Sequence, residues 1–125
     1  NYAYIGGRSE ELDAYILKAY DMEGNHLLTF GEKGKYGDDW LAYVSQIMEI
    51  PEGFFGIDAN MRDLYIWGPD ASVLGSVEAP DLFGAGYAWI AGAAKQDDGS
   101  ILVALTQDRD DDSATELLLY RLSGF

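Results

Sequence analysis

Three short stretches of this chain are apolar at every position: Leu64-Tyr65-Ile66-Trp67, Ile101-Leu102-Val103-Ala104-Leu105 and Leu117-Leu118-Leu119-Tyr120. Each lies between segments rich in Gly, Pro, Asp or Ser. Apolar runs of this length, carrying β-branched and aromatic residues, read as strands. Successive side chains of a strand point to opposite faces, so a strand that is apolar throughout is covered on both. Antiparallel sheets covered twice without helices must stack on other sheets. Whatever else the chain does, it has to build layers.

Seven further runs complete a string of ten strands. They are Tyr2–Ile5 (closed by Gly6-Gly7), Ala14–Tyr20, His26–Phe30, Tyr43–Ile50, Phe54–Asp58, Ser72–Val77 and Tyr87–Lys95; the three apolar stretches belong to Leu64–Trp67, Ile101–Thr106 and Glu116–Leu122. Turns with Gly, Pro or Asp separate them: Asp21-Met22-Glu23-Gly24, Pro51-Glu52-Gly53, Gly68-Pro69-Asp70 and Asp97-Asp98-Gly99. The last is the clearest hairpin signal of the set. No segment reads as a convincing helix. Asp38–Ile50 has helical spacing at Leu41, Val44, Ile47 and Met48, yet Tyr43, Val44, Ile47 and Ile50 favour strand and Pro51 ends the run. The expectation is one turn of helix near Asp38–Ala42, then a strand from Tyr43.

Composition excludes several functions. With 22 acidic and 8 basic residues the net charge is −14, which repels phosphate backbones and anionic lipid. Nucleic acid and membrane insertion are therefore excluded as partners, and no run approaches the ~18 apolar residues of a membrane span. Asp outnumbers Glu 14 to 8 and clusters in turns, pointing to acidic loops. There is no cysteine, hence no disulfide frame and no thiolate chemistry. The chain starts at Asn1, which fits a mature secreted protein and a cut-down fragment equally; the expected location is extracellular or periplasmic.

The hairpins repeat. Take Tyr15–Gly31 as template: its strand–turn–strand centre, KAYDMEGNHLLTF, returns as YIWGPDASVLGSV over Tyr65–Val77 and in part as LLYRLSGF over Leu118–Phe125. Tyr20, Trp67 and Tyr120 then hold equivalent places. The unit is a four-stranded antiparallel meander, a-b-c-d, of a length used by propeller blades. The chain reads b-c-d, a-b-c-d, a-b-c, in units of approximately 1–31, 43–77 and 87–125 within a single all-β domain or fragment. Strand a of the third unit carries Ala88, Ala91, Gly92, Ala93 and Ala94, small enough for a crowded centre. A β-sandwich or barrel of ten strands is the alternative.

The stretch Ala19–Asp39 resembles NHL-type and related bacterial six-bladed β-propellers, through Tyr20-Asp21, Gly24, Leu27-Leu28, Phe30-Gly31, Gly34 and Gly37. The resemblance implies a propeller-like, incomplete array of about two and a half blades. Its partners would be another copy or the rest of a longer propeller chain. It also implies an alternative activity, because propeller lactonases of this kind hold a central metal on Glu, Asn and Asp; no such set can be placed here residue by residue.

In that architecture one rim gathers Arg8–Asp13, Gly31–Leu41, Asn60–Asp63, Glu78–Gly86 and Asp108–Thr115. Loops on a rigid sheet are the usual seat of binding. Tyr36, Asp38, Asp39 and Trp40 are the candidate ligand-binding residues, suited to a cation, a basic segment or a sugar. Asp108, Asp110 and Asp112 match the first three ligand positions of a calcium loop, but Ser113 and Leu119 break the pattern; no cofactor is expected beyond that calcium. His26, the one histidine, stands alone, and no nucleophile, P-loop or dinucleotide motif is present. The sequence thus favours a non-catalytic propeller-type module that binds a protein or small ligand, or serves as scaffold, through an acidic loop face. Its alternative is a part of a metal-dependent propeller enzyme.

Overall fold

A computed structural model of the chain describes residues 2–61, 63–83, 89–108 and 115–124. Within them lie ten strands: β1 (Ala3–Ser9), β2 (Ala14–Tyr20), β3 (His26–Phe30), β4 (Val44–Ile50), β5 (Gly53–Asp58), β6 (Asp63–Trp67), β7 (Val73–Glu78), β8 (Trp89–Lys95), β9 (Ile101–Asp108) and β10 (Thr115–Leu122). One short helix, α1 (Ala79–Phe83), follows β7. Every pairing is antiparallel and joins sequence neighbours, giving sheets β1-β2-β3, β4-β5-β6-β7 and β10-β9-β8. The fold is all-β and built of meanders of three, four and three strands, without a closed barrel among the described residues.

The middle sheet explains the fully apolar runs. Phe54, Tyr65 and Trp67 point to the first sheet and pack with Leu17, Ala19, Phe30, Leu41 and Val44. Phe55, Ile57 and Leu64 point the other way, onto Ile101, Val103 and Leu105 of the third sheet. The register enforces this division: Phe54 pairs with Trp67 and Gly56 with Tyr65 on one face, Phe55 with Ile66 and Ile57 with Leu64 on the other. Two cores on opposite faces of one sheet make a three-layer stack.

Three hairpins use one turn design. In Asp21–Asn25, Gly68–Ser72 and Gln96–Ser100 the first N–H donates to the fifth carbonyl, and the fourth N–H to the first carbonyl. The fourth residue has positive φ: Gly24 at 89°, Ala71 at 67° and Gly99 at 87°. Aspartates brace each loop. Asp21 accepts from the Glu23 and Asn25 N–H groups, and Asp70 and Asp98 accept from Ser72 and Ser100. Local Asx bonding is what makes these residues turn formers.

Several expectations need correction. Asp38–Ala42 forms no helix; it belongs to a chain of turns. A helix forms instead at Ala79–Phe83, where Ala79 and Phe83 turn inward. Strand β1 does not stop at Gly6-Gly7 but runs to Ser9, because its pairing with β2 continues through Gly6–Leu17, Gly7–Ile16 and Arg8–Tyr15 to Ser9–Ala14, and the Tyr15 ring takes the space a side chain on Gly6 would fill. The equivalence of Tyr120 with Trp67 is out of step by two: Trp67 pairs with Phe54 near the start of its partner strand, and Leu122 pairs with Ile101 in the same way. Tyr120 therefore corresponds to Tyr65.

Candidate functional site

The link from β3 to β4 is a series of three turns. The N–H groups of Gly34, Gly37 and Trp40 donate to the carbonyls of Gly31, Gly34 and Gly37, at 3.1, 3.1 and 3.2 Å. Such a path needs left-handed residues, and Gly31, Gly34 and Tyr36 supply them at φ 83°, 74° and 69°. At Gly34 there is no room either, since a Cβ would stand 3.0 Å from the Leu12 carbonyl.

Asp58 fixes the far end of this link. Its carboxylate is fully buried and accepts four backbone N–H groups: Ala42 at 2.6 Å, Tyr43 at 3.1 Å, Asn60 at 3.1 Å and Met61 at 3.0 Å. The link between the first two sheets is thereby tied to the β5–β6 turn. Tyr65 adds a bond from its hydroxyl to the Trp40 carbonyl at 3.3 Å. Burial and the nearby carboxylates of Asp63 and Asp58 push this hydroxyl up to about 12, so it stays a donor.

On this floor the expected ligand residues fall into two groups. The rings of Tyr36 and Trp40 stand 5.3 Å apart and tilted, with Tyr36 80% exposed and the Lys35 ammonium 5.3 Å from its ring centre. Asp38 is exposed and pairs with Lys33 at 2.8 Å. Asp39 turns inward. Its Oδ2 accepts weakly from the Lys33 N–H at 3.4 Å, and its buried Oδ1 has no partner. Burial raises the Asp39 carboxyl above its ordinary range. It is a loop-packing residue, not a solvent-facing ligand.

Trp40 also reaches the β1–β2 turn. A cleft of about 360 Å³ is lined by Arg8, Asp13, Tyr15, Lys35, Trp40 and Leu41. Arg8 hydrogen-bonds Asp13, and Lys35 lies 3.7 Å from the same carboxylate. The Arg8 hydrogen bond and charge hold Asp13 below its ordinary range, so it stays ionised. The chain is strongly acidic, yet this cleft holds two cations and one carboxylate. Sequence reasoning placed Arg8–Asp13 and Gly31–Leu41 on one rim, and here they meet. It passed over Arg8, Asp13, Tyr15, Lys35 and Asp58, which carry no motif; the first four meet only through packing of the first hairpin against the link, and Asp58 joins them through the N–H groups of Ala42 and Tyr43.

Asp110 and Asp112 lie outside the described residues, and Asp108 is described only by its backbone at the end of β9. Among the described residues no group of three or more His, Asp or Glu side chains is placed to hold a metal ion. No helix among them is long and apolar enough to cross a membrane. His26 is held by the Leu28 carbonyl and the Thr29 hydroxyl, with its ring 5.5 Å from that of Tyr20 on β2.

No known family model matches the chain, and no curated protein matches it at a significant level.

Proposed function

We propose that the chain is a non-catalytic binding module of the propeller type, working through the β3–β4 link and the cleft beside it. One observation carries this reading: Trp40, whose ring neighbours that of Tyr36, lines an open cleft in which Arg8 and Lys35 share the carboxylate of Asp13. Arg8, Lys35 and Asp13 present hydrogen-bond donors and an acceptor with only one cation in excess, and aromatic faces stack on apolar ring faces. That combination suits a neutral, hydroxyl-rich small ligand, a sugar being the plainest case.

The propeller reading is supported by three stacked meanders with one shared turn design. The outer faces favour further layers: Ile5 on the first sheet and Trp89, Leu117 and Leu119 on the third are 51 to 65% exposed. Apolar faces of this kind call for cover. Another copy or the rest of a longer chain would provide it, and the −14 charge of each copy weighs toward the second.

Tryptophan fluorescence tests the site. Titration with neutral oligosaccharides is expected to change the emission of the parent protein and to leave Trp40→Ala unchanged. Binding of a lysine-rich peptide in place of any sugar would overturn the reading and restore the acidic face as the working surface.

A further inference from the structure

Tyr36 stands where the backbone asks for a different residue. It is the third residue of the turn over residues 34–37, closed by the Gly37 N–H on the Gly34 carbonyl at 3.1 Å. Its φ of 69° is what a type II turn requires at that place, and such a turn takes Gly or Asn there. A bulky side chain in the left-handed region is strained, because its Cβ crowds the following carbonyl. Among the described residues two other non-glycine positions have positive φ, Asp13 and Ala71. Ala71 is packed in the core, which offsets its strain. Asp13 belongs to a residue type that tolerates this region. Neither ground applies to Tyr36, which is bulky and 80% exposed. Strain held where the fold gains no burial is a mark of a functional position.

The Tyr36 ring also lies in a definite place relative to the cleft. Trp40 lines the cleft, and Tyr36 adjoins it from outside, with the two ring planes inclined at 57°. Lys35 belongs to the cleft wall and holds its ammonium over the Tyr36 ring. The aromatic surface therefore continues out of the cleft without a break, while the charges of Arg8 and Asp13 stay inside it.

We propose that Tyr36 is a second sugar platform, so that the site takes a neutral oligosaccharide of at least two units, one on Trp40 in the cleft and the next on Tyr36 outside it. The inference rests on the binding role of the β3–β4 link and adds the length of the ligand. A pyranose is itself a six-membered ring and covers one aromatic face, so a second, adjoining face serves a second unit. The inner unit has Asp13, Arg8 and Lys35 to read its hydroxyls. The outer unit meets a ring face and solvent, so the site tolerates changes in its hydroxyl pattern.

The test is calorimetric titration of the full chain with the mono-, di- and trisaccharides of glucose, galactose, mannose and xylose. In the series that binds, two units are expected to bind at least about fivefold more tightly than one, the gain that one further aromatic contact supplies. Tyr36→Asn puts into the turn a residue suited to its backbone and removes the ring. This variant is expected to lose the gain, to keep the affinity for the monosaccharide, and to melt no lower than the parent. Equal affinity for one and two units, or a gain retained in Tyr36→Asn, would overturn the proposal and leave the Trp40 cleft standing as a monosaccharide site. A Tm several degrees lower in Tyr36→Asn would also overturn it, by giving the ring a structural role. Absence of binding by sugars of every length would overturn the reading of the cleft itself, and this proposal with it.

Discussion

The indole of Trp67 lies across Gly56 of the neighbouring strand, so that a Cβ at residue 56 would overlap the ring, standing 2.7 Å from Cη2. Trp67 is wholly buried, and Phe30 meets it edge-on while Tyr65 stacks on it in parallel. Gly56 thus gives the largest side chain of the middle sheet the depth it needs to receive the first sheet. Gly56→Ala is expected to cost roughly 3 kcal/mol, the upper range for overpacking a core. Urea denaturation should show the midpoint fall with an unchanged slope. A loss below 0.5 kcal/mol, on the same scale of core effects, would mean that the ring has another place to go.

Asp58 should be the most sensitive polar position. Three of its N–H donors converge on Oδ1 and the fourth on Oδ2. Asp58→Ala leaves buried donors unmatched at about 1–3 kcal/mol each, so a loss of at least ~3 kcal/mol is expected. Asp58→Asn keeps the oxygen that takes three donors and sets an NH₂ against the Ala42 N–H, which predicts an intermediate loss. Equal stability of the two variants would contradict the assignment.

How far the sequence foretold these features depends on the range of the interaction. The strands were legible because alternation and turn residues act locally; Asp97-Asp98-Gly99 specifies its hairpin without help from the core. The three-layer stack was legible because Leu64–Trp67 has no polar face. Asp58 gave no sign. It ends a strand like any other aspartate, and only the return of residues 42 and 43 gives it four donors. The misplacement of Tyr120 has a similar cause. Aromatic residues near a strand end look interchangeable in sequence, and pairing with Ile101 decides that Leu122 holds the place. At Asp38–Ala42, helical spacing lost to the glycines before it, whose positive φ values commit the link to turns.

The turn glycines separate strain from crowding. Gly24 and Gly99 have positive φ and open space around the missing Cβ. Alanine at either place should cost only the left-handed penalty, about 1–2 kcal/mol. Gly53 has φ 145°, and a Cβ there would stand 2.9 Å from the Gly68 Cα. Gly53→Ala should therefore lose more than either. Ala71→Gly removes strain and also a methyl that is packed in the core, worth about 0.8 kcal/mol. Its net change is expected to be small. Thermal melts of the four variants give the order directly.

Asp39 predicts a pH dependence of definite sign. Burial raises its folded carboxyl above the ordinary value of 3.8, with the Asp38 charge adding to the rise and the Lys33 N–H and ammonium opposing it. Between 3.8 and the raised value the folded chain holds a proton that the unfolded chain has released. Stability from this group therefore falls as pH rises through that window and stays lower above it. Below 3.8 both states are protonated and the contribution vanishes. Asp39→Asn removes the ionisation yet keeps an oxygen for the Lys33 N–H. The variant should be more stable than the parent at neutral pH, and the difference should close as pH falls through the window. Other titrating groups, including the raised Asp63 and the lowered Asp13, are common to both proteins and largely cancel in the difference. Urea midpoints for the pair from pH 7 to pH 3 measure it; a constant difference, or a variant weaker at pH 7 than at pH 3 relative to the parent, would show that the buried oxygen is matched by a donor when the loop is folded.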